Sequence, residues 1–141
     1  MAEPLTEELL GELLEAPTLD GFMSDHEREL KDRSLSEYLT ELLEHKGLKR
    51  SQVVHMANLN ETFGYQIIKG TRRPSRDKVL QIAFAMALTL RETNRALEAA
   101  GVSSLYSKDR RDAIIIFCLD RGCSLQKVNE ELYRFGERTV C

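Results

Sequence analysis

Residues 50–70, RSQVVHMANLNETFGYQIIKG, read as two short helices around a tight corner. Arg50 to Ala57 has helical composition, with Val53, Val54 and Ala57 apolar at helical spacing. Asn58 follows and tolerates the left-handed conformation that a sharp turn needs. Leu59 can then point inward. Asn60 is a good N-cap for a second helix, Glu61 to Lys69, and Gly70 is a natural stop. A helix, a short turn and a second helix is a layout that nucleic-acid-binding proteins use to place the second helix in the major groove.

The flanking residues extend this reading. Lys69, Arg72, Arg73, Arg76 and Lys78 cluster within ten positions. Two loop arginines beside a proline are ordinary surface, but five bases so close together favour phosphate contact. Thr71 to Ser75 is a polar loop containing Pro74, and Ser75 can cap the next helix, whose N-terminal amides also suit a phosphate.

Taken together, these residues resemble the lambda-repressor-like, Xre-type helix-turn-helix family. The matching positions are Gly47-Leu48, the Asn58-Leu59-Asn60 turn, Ile67, Gly70, Arg73-Pro74-Ser75, Leu80, Ile82 and Ala83, and the similarity spans roughly Ser34 to Leu97. The chain departs from the family pattern at Lys49, Arg50 and Gly64, and an acid, Glu61, stands at the front of the second helix. The resemblance implies a five-helix domain that binds double-stranded DNA, usually as a homodimer, and regulates transcription. It also implies an exposed face made of Glu61, Thr62, Phe63, Tyr65, Gln66 and Lys69. Thr62, Tyr65 and Gln66 are then the expected base-edge contacts; Gln66 can bond adenine in a bidentate way. Arg50, Lys69, Arg72, Arg73, Arg76 and Lys78 are the expected phosphate contacts. Phe63 and Tyr65 are ambiguous between core packing, DNA and a protein face, with core packing slightly favoured.

Charge is distributed unevenly behind a net of −3. Residues 1–45 hold 3 Lys/Arg against 13 Asp/Glu, residues 46–80 hold 8 against 2, and residues 81–141 hold 9 against 8. The basic excess falls on the segment expected to read DNA. The acidic segment reads first as solvated surface.

The chain is expected to be all-α, in three parts: an acidic helical extension over residues 1–33, the repressor-like domain over 34–101, and a helical pair over 102–141 packed on the same domain. Leu5, Leu9, Leu10, Leu13 and Leu14 form a helical stripe between Pro4 and Pro17. Packing on its own domain is favoured for that stripe over docking on a protein partner or second subunit. Ser24-Asp25-His26-Glu27, Ser34-Leu35-Ser36-Glu37 and Thr89-Leu90-Arg91-Glu92 have capping-box form. Ser75 to Leu88 is apolar nearly all round and should be central to the core. Ser107 is expected to cap a helix running to about Asp120, with Ile114 to Leu119 mostly buried. Ser124 caps a last helix bearing Leu125, Val128, Leu132 and Phe135.

No apolar run approaches the roughly 18–20 residues of a membrane helix. The acidic start lacks a secretory signal, which points to a cytoplasmic protein without membrane partners. Cys118, Cys123 and Cys141 form no CxxC pair and fit reduced thiols. His26, His45 and His55 sit in no metal-ligand pattern, and no nucleophile elbow or phosphate loop appears. Neither enzymatic activity nor a cofactor is expected. Two rivals to DNA binding remain. One is a protein-interaction module on the same fold, motivated by Glu61, Phe63, Tyr65 and the acidic segment. The weaker one is a redox-sensing regulator using Cys118 and Cys123.

Overall fold

The structure is a computed structural model that describes residues 6–27 and 34–141. Among these residues every regular element is an α-helix. The chain divides into two compact units, one within Met1–Asp32 and one within Arg33–Cys141.

In the first unit, α1 (Thr6–Glu15) packs on α2 (Leu19–Asp25). Leu5 and Pro4 lie outside the described residues. Leu9 of α1 is half-buried, and Leu10, Leu13 and Leu14 are exposed. Phe22 is the buried apolar residue of α2. Thr18 starts α2 by accepting from the Gly21 amide at 3.1 Å. The box at Ser24 therefore begins no helix here, since Ser24 and Asp25 close α2 instead. Any helix after Glu27 lies outside the described residues until Ser34.

The second unit holds α3 (Leu35–Lys46), α4 (Arg50–Met56), α5 (Glu61–Lys69), α6 (Arg76–Ala85), α7 (Leu90–Ala99), α8 (Arg110–Asp120) and α9 (Leu125–Arg134). Side-chain oxygens of Ser34, Asn60, Ser75, Thr89, Asp109 and Ser124 each accept the amide three residues on. Each bond satisfies one amide of the first helical turn that has no intrahelical acceptor. The cap of α8 is Asp109, accepting from Asp112 at 2.9 Å, and not Ser107. Asp109 stands immediately before the first helical residue, which is where a cap must sit.

The central helix is α6. Every residue from Val79 to Ala85 is buried, including Gln81. Its neighbours are α4, α7 and α9, while α3 packs on α5 and α7, and α8 packs on α7 and α9. Gln81 Nε2 donates to the Ala57 carbonyl at 2.8 Å, which ties the middle of α6 to the end of α4. The segment after Gly101 belongs to the same unit: Ile115, Cys118, Leu119, Val128, Leu132 and Val140 join the common core. Burial of the 114–119 run is only partial, because Phe117 is 57% exposed and Ile114 and Ile116 are half-buried. An eleven-residue amphipathic helix presents one side to solvent whatever its composition, and Phe117 falls on that side. Phe135 is likewise exposed. Among the described residues no helix is long and apolar enough to cross a membrane.

Candidate nucleic-acid interface

The corner between α4 and α5 is built by local chemistry. Gln52 reaches back so that its Oε1 accepts the Lys49 amide at 3.3 Å, half of a capping box that Lys49 cannot complete with its own side chain. Ala57 ends α4 and Asn58 turns the chain with φ 57°, the left-handed conformation an asparagine tolerates. Asn60 Oδ1 then accepts the Phe63 amide at 3.2 Å and α5 begins.

Two contacts and a glycine stop fix α5. Gly64 is buried against α4, where an added Cβ would lie 2.6 and 2.8 Å from the two Val54 methyl carbons. Only glycine permits that approach. At the far end, Ser36 Oγ donates to the Ile68 carbonyl at 2.6 Å, so α3 satisfies one of the helix's terminal oxygens. Gly70 follows with φ 91° and closes the helix.

Gly64, Ile67 and Ile68 occupy the buried side of α5. Glu61, Thr62, Tyr65, Gln66 and Lys69 fall on the opposite side, since residues spaced by three and four share a face. Glu61, Thr62 and Lys69 are exposed, while Tyr65 and Gln66 are half-buried. Tyr65 and Phe63 both rest against the core cluster, so each ring is partly a packing residue.

The basic residues divide into two groups. Arg50, Lys69, Arg72 and Arg73 are exposed and Lys78 is half-buried. Arg72 lies 4.8 Å from the centroid of the Phe63 ring and Lys78 6.0 Å from it. One ring thereby gathers a cation from the loop and one from α6, an attraction between positive charge and the face of an aromatic ring.

Arg76 is different. Its Nε donates to the Ser103 carbonyl at 3.0 Å and its Nη2 to the Ser104 carbonyl at 3.2 Å. Nη1 and Nη2 also bond the two oxygens of Asp112 at 2.9 and 2.8 Å. Four of the five guanidinium hydrogens are thus taken up within the protein. Arg76 was expected to hold a phosphate, but it faces inward instead and anchors α6 to the connector and α8. Its neighbour Asp77 pairs with Arg111 at 3.0 Å and with Arg138 at 3.5 Å, so that acid is balanced by the C-terminal segment.

Sequence reasoning missed Arg76's partner, Gln81's buried bond and the Arg72–Phe63–Lys78 cluster. The first two depend on residues 36 and 24 positions away. The third carried a faint signal, an aromatic followed at nine and fifteen positions by bases. Cys118 is buried and Cys123 half-buried; burial and the neighbouring Cys123 push the Cys118 thiol up to about 11. A thiol so held is a poor nucleophile at neutral pH, which weighs against the redox reading. Among the described residues no three His, Cys, Asp or Glu side chains are grouped to hold a metal ion.

No protein-family model, curated protein or solved structure matches this chain.

Proposed function

We propose that the chain is a sequence-specific DNA-binding transcriptional regulator with a lambda-repressor-like domain, in which α5 enters the major groove. Thr62, Tyr65 and Gln66 meet base edges, while Arg50, Lys69, Arg72, Arg73 and Lys78 hold the phosphates on either side. Arg76 leaves the phosphate set and becomes the strut behind it. The observation that carries this reading is the exposed polar stripe of α5 on a helix that gathers Arg72 and Lys78 over Phe63 and is fixed at both ends by Asn60 and by the Ser36–Ile68 bond. A rigid helix of that kind can hold side chains in register with base pairs, and loose side chains on a mobile loop cannot.

The test is selection of bound duplexes from a random library, followed by binding measurements across a salt series. A selected duplex should bind with an affinity that falls steeply as salt rises, because each phosphate contact releases counterions. Gln66→Ala should relax the preference at one or two base pairs, and replacing Arg72 and Arg73 by Ala should weaken binding to every sequence. Indifference to all duplexes at low salt would sink the proposal.

The second reading is a protein-interaction module on the same fold. Glu61 at the exposed start of α5 favours it, since a carboxylate there repels phosphate. Exposed Leu10, Leu13 and Leu14 beside the acids of α1 favour it too. Glu61→Gln separates the two: it strengthens DNA binding on the first reading and leaves a DNA-blind protein blind on the second.

A further inference from the structure

Helix α8 carries a second stripe that the DNA-facing residues do not use. Asp112, Ile115, Cys118 and Leu119 are its buried side. On the other side Arg110, Ala113, Phe117 and Asp120 are all exposed. Their spacing is three, four and three residues, the interval that keeps side chains along one seam between paired helices. The seam reads base, small apolar, large apolar, acid. Reversed, it is its own complement.

We propose that this seam is a homodimer interface whose occupant is α8 of a second copy of this chain, lying antiparallel across a two-fold axis. The axis passes between Ala113 and Phe117. Each Phe117 then covers the Ala113 of the partner, where the absence of a long side chain leaves room for a ring. Each Arg110 faces the partner's Asp120. A two-fold interface requires every contact to hold in both directions, and these two contacts do. A parallel arrangement would set Arg110 against Arg110, Phe117 against Phe117 and Asp120 against Asp120, so charge decides the direction. Both charged groups keep exposed surface toward a partner although each has a contact on its own chain. The Arg110 side chain is 68% exposed while bonding the Phe135 carbonyl at 3.0 Å and Glu137 at 3.2 Å. The Asp120 side chain is 72% exposed and its contact with Arg121 is long, at 3.6 Å. Arg121 lies 4.6 Å over the Phe117 ring and forms the rim of the seam.

The test is sedimentation equilibrium on the full chain, which reads association independently of DNA. The wild type should show a monomer–dimer equilibrium at concentrations up to about 100 μM, and Phe117→Arg should weaken it by about tenfold or more. Arg110→Asp and Asp120→Arg should each weaken it, and the double variant should lose less than the two single losses combined, because the pair across the seam is reversed while each substitution also gives up its own-chain contact with Glu137 or Arg121. Far-UV circular dichroism monitors folding of each variant, and the charge-reversal cycle probes the seam without touching Phe117. A wild type that stays monomeric, a dimer indifferent to Phe117→Arg, or single charge-reversal losses that simply add in the double variant each overturns the proposal.

Discussion

Arg76 and Asp112 form a bidentate pair, at 2.9 and 2.8 Å, between the first turns of α6 and α8. Asp112 is only 5% exposed, and burial by itself would raise its carboxyl pKa. The Arg76 guanidinium, the Tyr106 amide and the charge of Arg111 overcome that, and the carboxyl is held below the usual aspartate value. A carboxyl lowered by folding contributes stability that is complete above its unfolded pKa and disappears as pH falls through the folded one. Asp112→Asn should therefore cost about 2–3 kcal/mol at neutral pH, less than a fully buried pair because Arg76 keeps some solvent contact. The gap between variant and wild type should narrow once pH drops below about 4. Urea denaturation across a pH series measures both.

The same pair separates two arginines that look alike on paper. Arg73→Ala should reduce the slope of log binding constant against log salt by about 0.9, the loss of one phosphate contact. Arg76→Ala should lower the unfolding midpoint and leave that slope unchanged. Fluorescence anisotropy with a selected duplex supplies the slopes. Equal slope changes for both would return Arg76 to the phosphate-binding set.

Gly64 predicts a sign reversal. In an ordinary helix interior Gly→Ala gains about 1 kcal/mol. Here the new methyl meets both Val54 methyl carbons at under 3 Å, and a β-branched side chain in a helix has no other comfortable rotamer. Gly64→Ala should cost about 1–3 kcal/mol as an overpacked contact. In a Val54→Ala background the same substitution should be neutral or stabilising. Chemical denaturation of the four proteins in this cycle decides it.

The cysteines should react in a fixed order. Cys141 is exposed, whereas the Cys118 thiol is buried and pushed up to about 11. Iodoacetamide at pH 8 should modify Cys141 in the native protein and reach Cys118 only after unfolding, as read by peptide mass spectrometry. Rapid native modification of Cys118 would revive the redox-sensing alternative.

Local chemistry made most of the helices legible. A hydroxyl or amide oxygen at Ser34, Asn60, Ser75, Thr89 and Ser124 marks a start wherever it precedes an apolar periodicity, and all five serve as caps. Gly47, Gly70, Gly101, Gly122 and Gly136 mark the stops, each with positive φ. Where two capping types compete within a few residues the pattern is degenerate, and the choice between Ser107 and Asp109 shows it. Ala87 holds φ 52° with no compositional signal at all. The candidate site was legible as a set of charges but not as directions. Nothing in the run of bases from Lys69 to Lys78 distinguishes Arg76, because what turns it inward is a carboxylate on another helix. Phe63 and Tyr65 stayed ambiguous for a related reason: each ring touches the core with one part and solvent with another.

The attachment of α6 to the segment beyond Gly101 bears on how the protein can be handled. A chain cut after Gly101, the boundary that resemblance alone would recommend, keeps every residue offered to DNA. It discards Asp112 and the Ser103 and Ser104 carbonyls, however, and strips α8 and α9 from α7 and α6. What remains would be a fragment with an orphaned guanidinium and an uncovered greasy flank, prone to clump before it could be assayed. Trimming to the minimal domain would then give a negative result that reflects the missing buttress and not the reading helix.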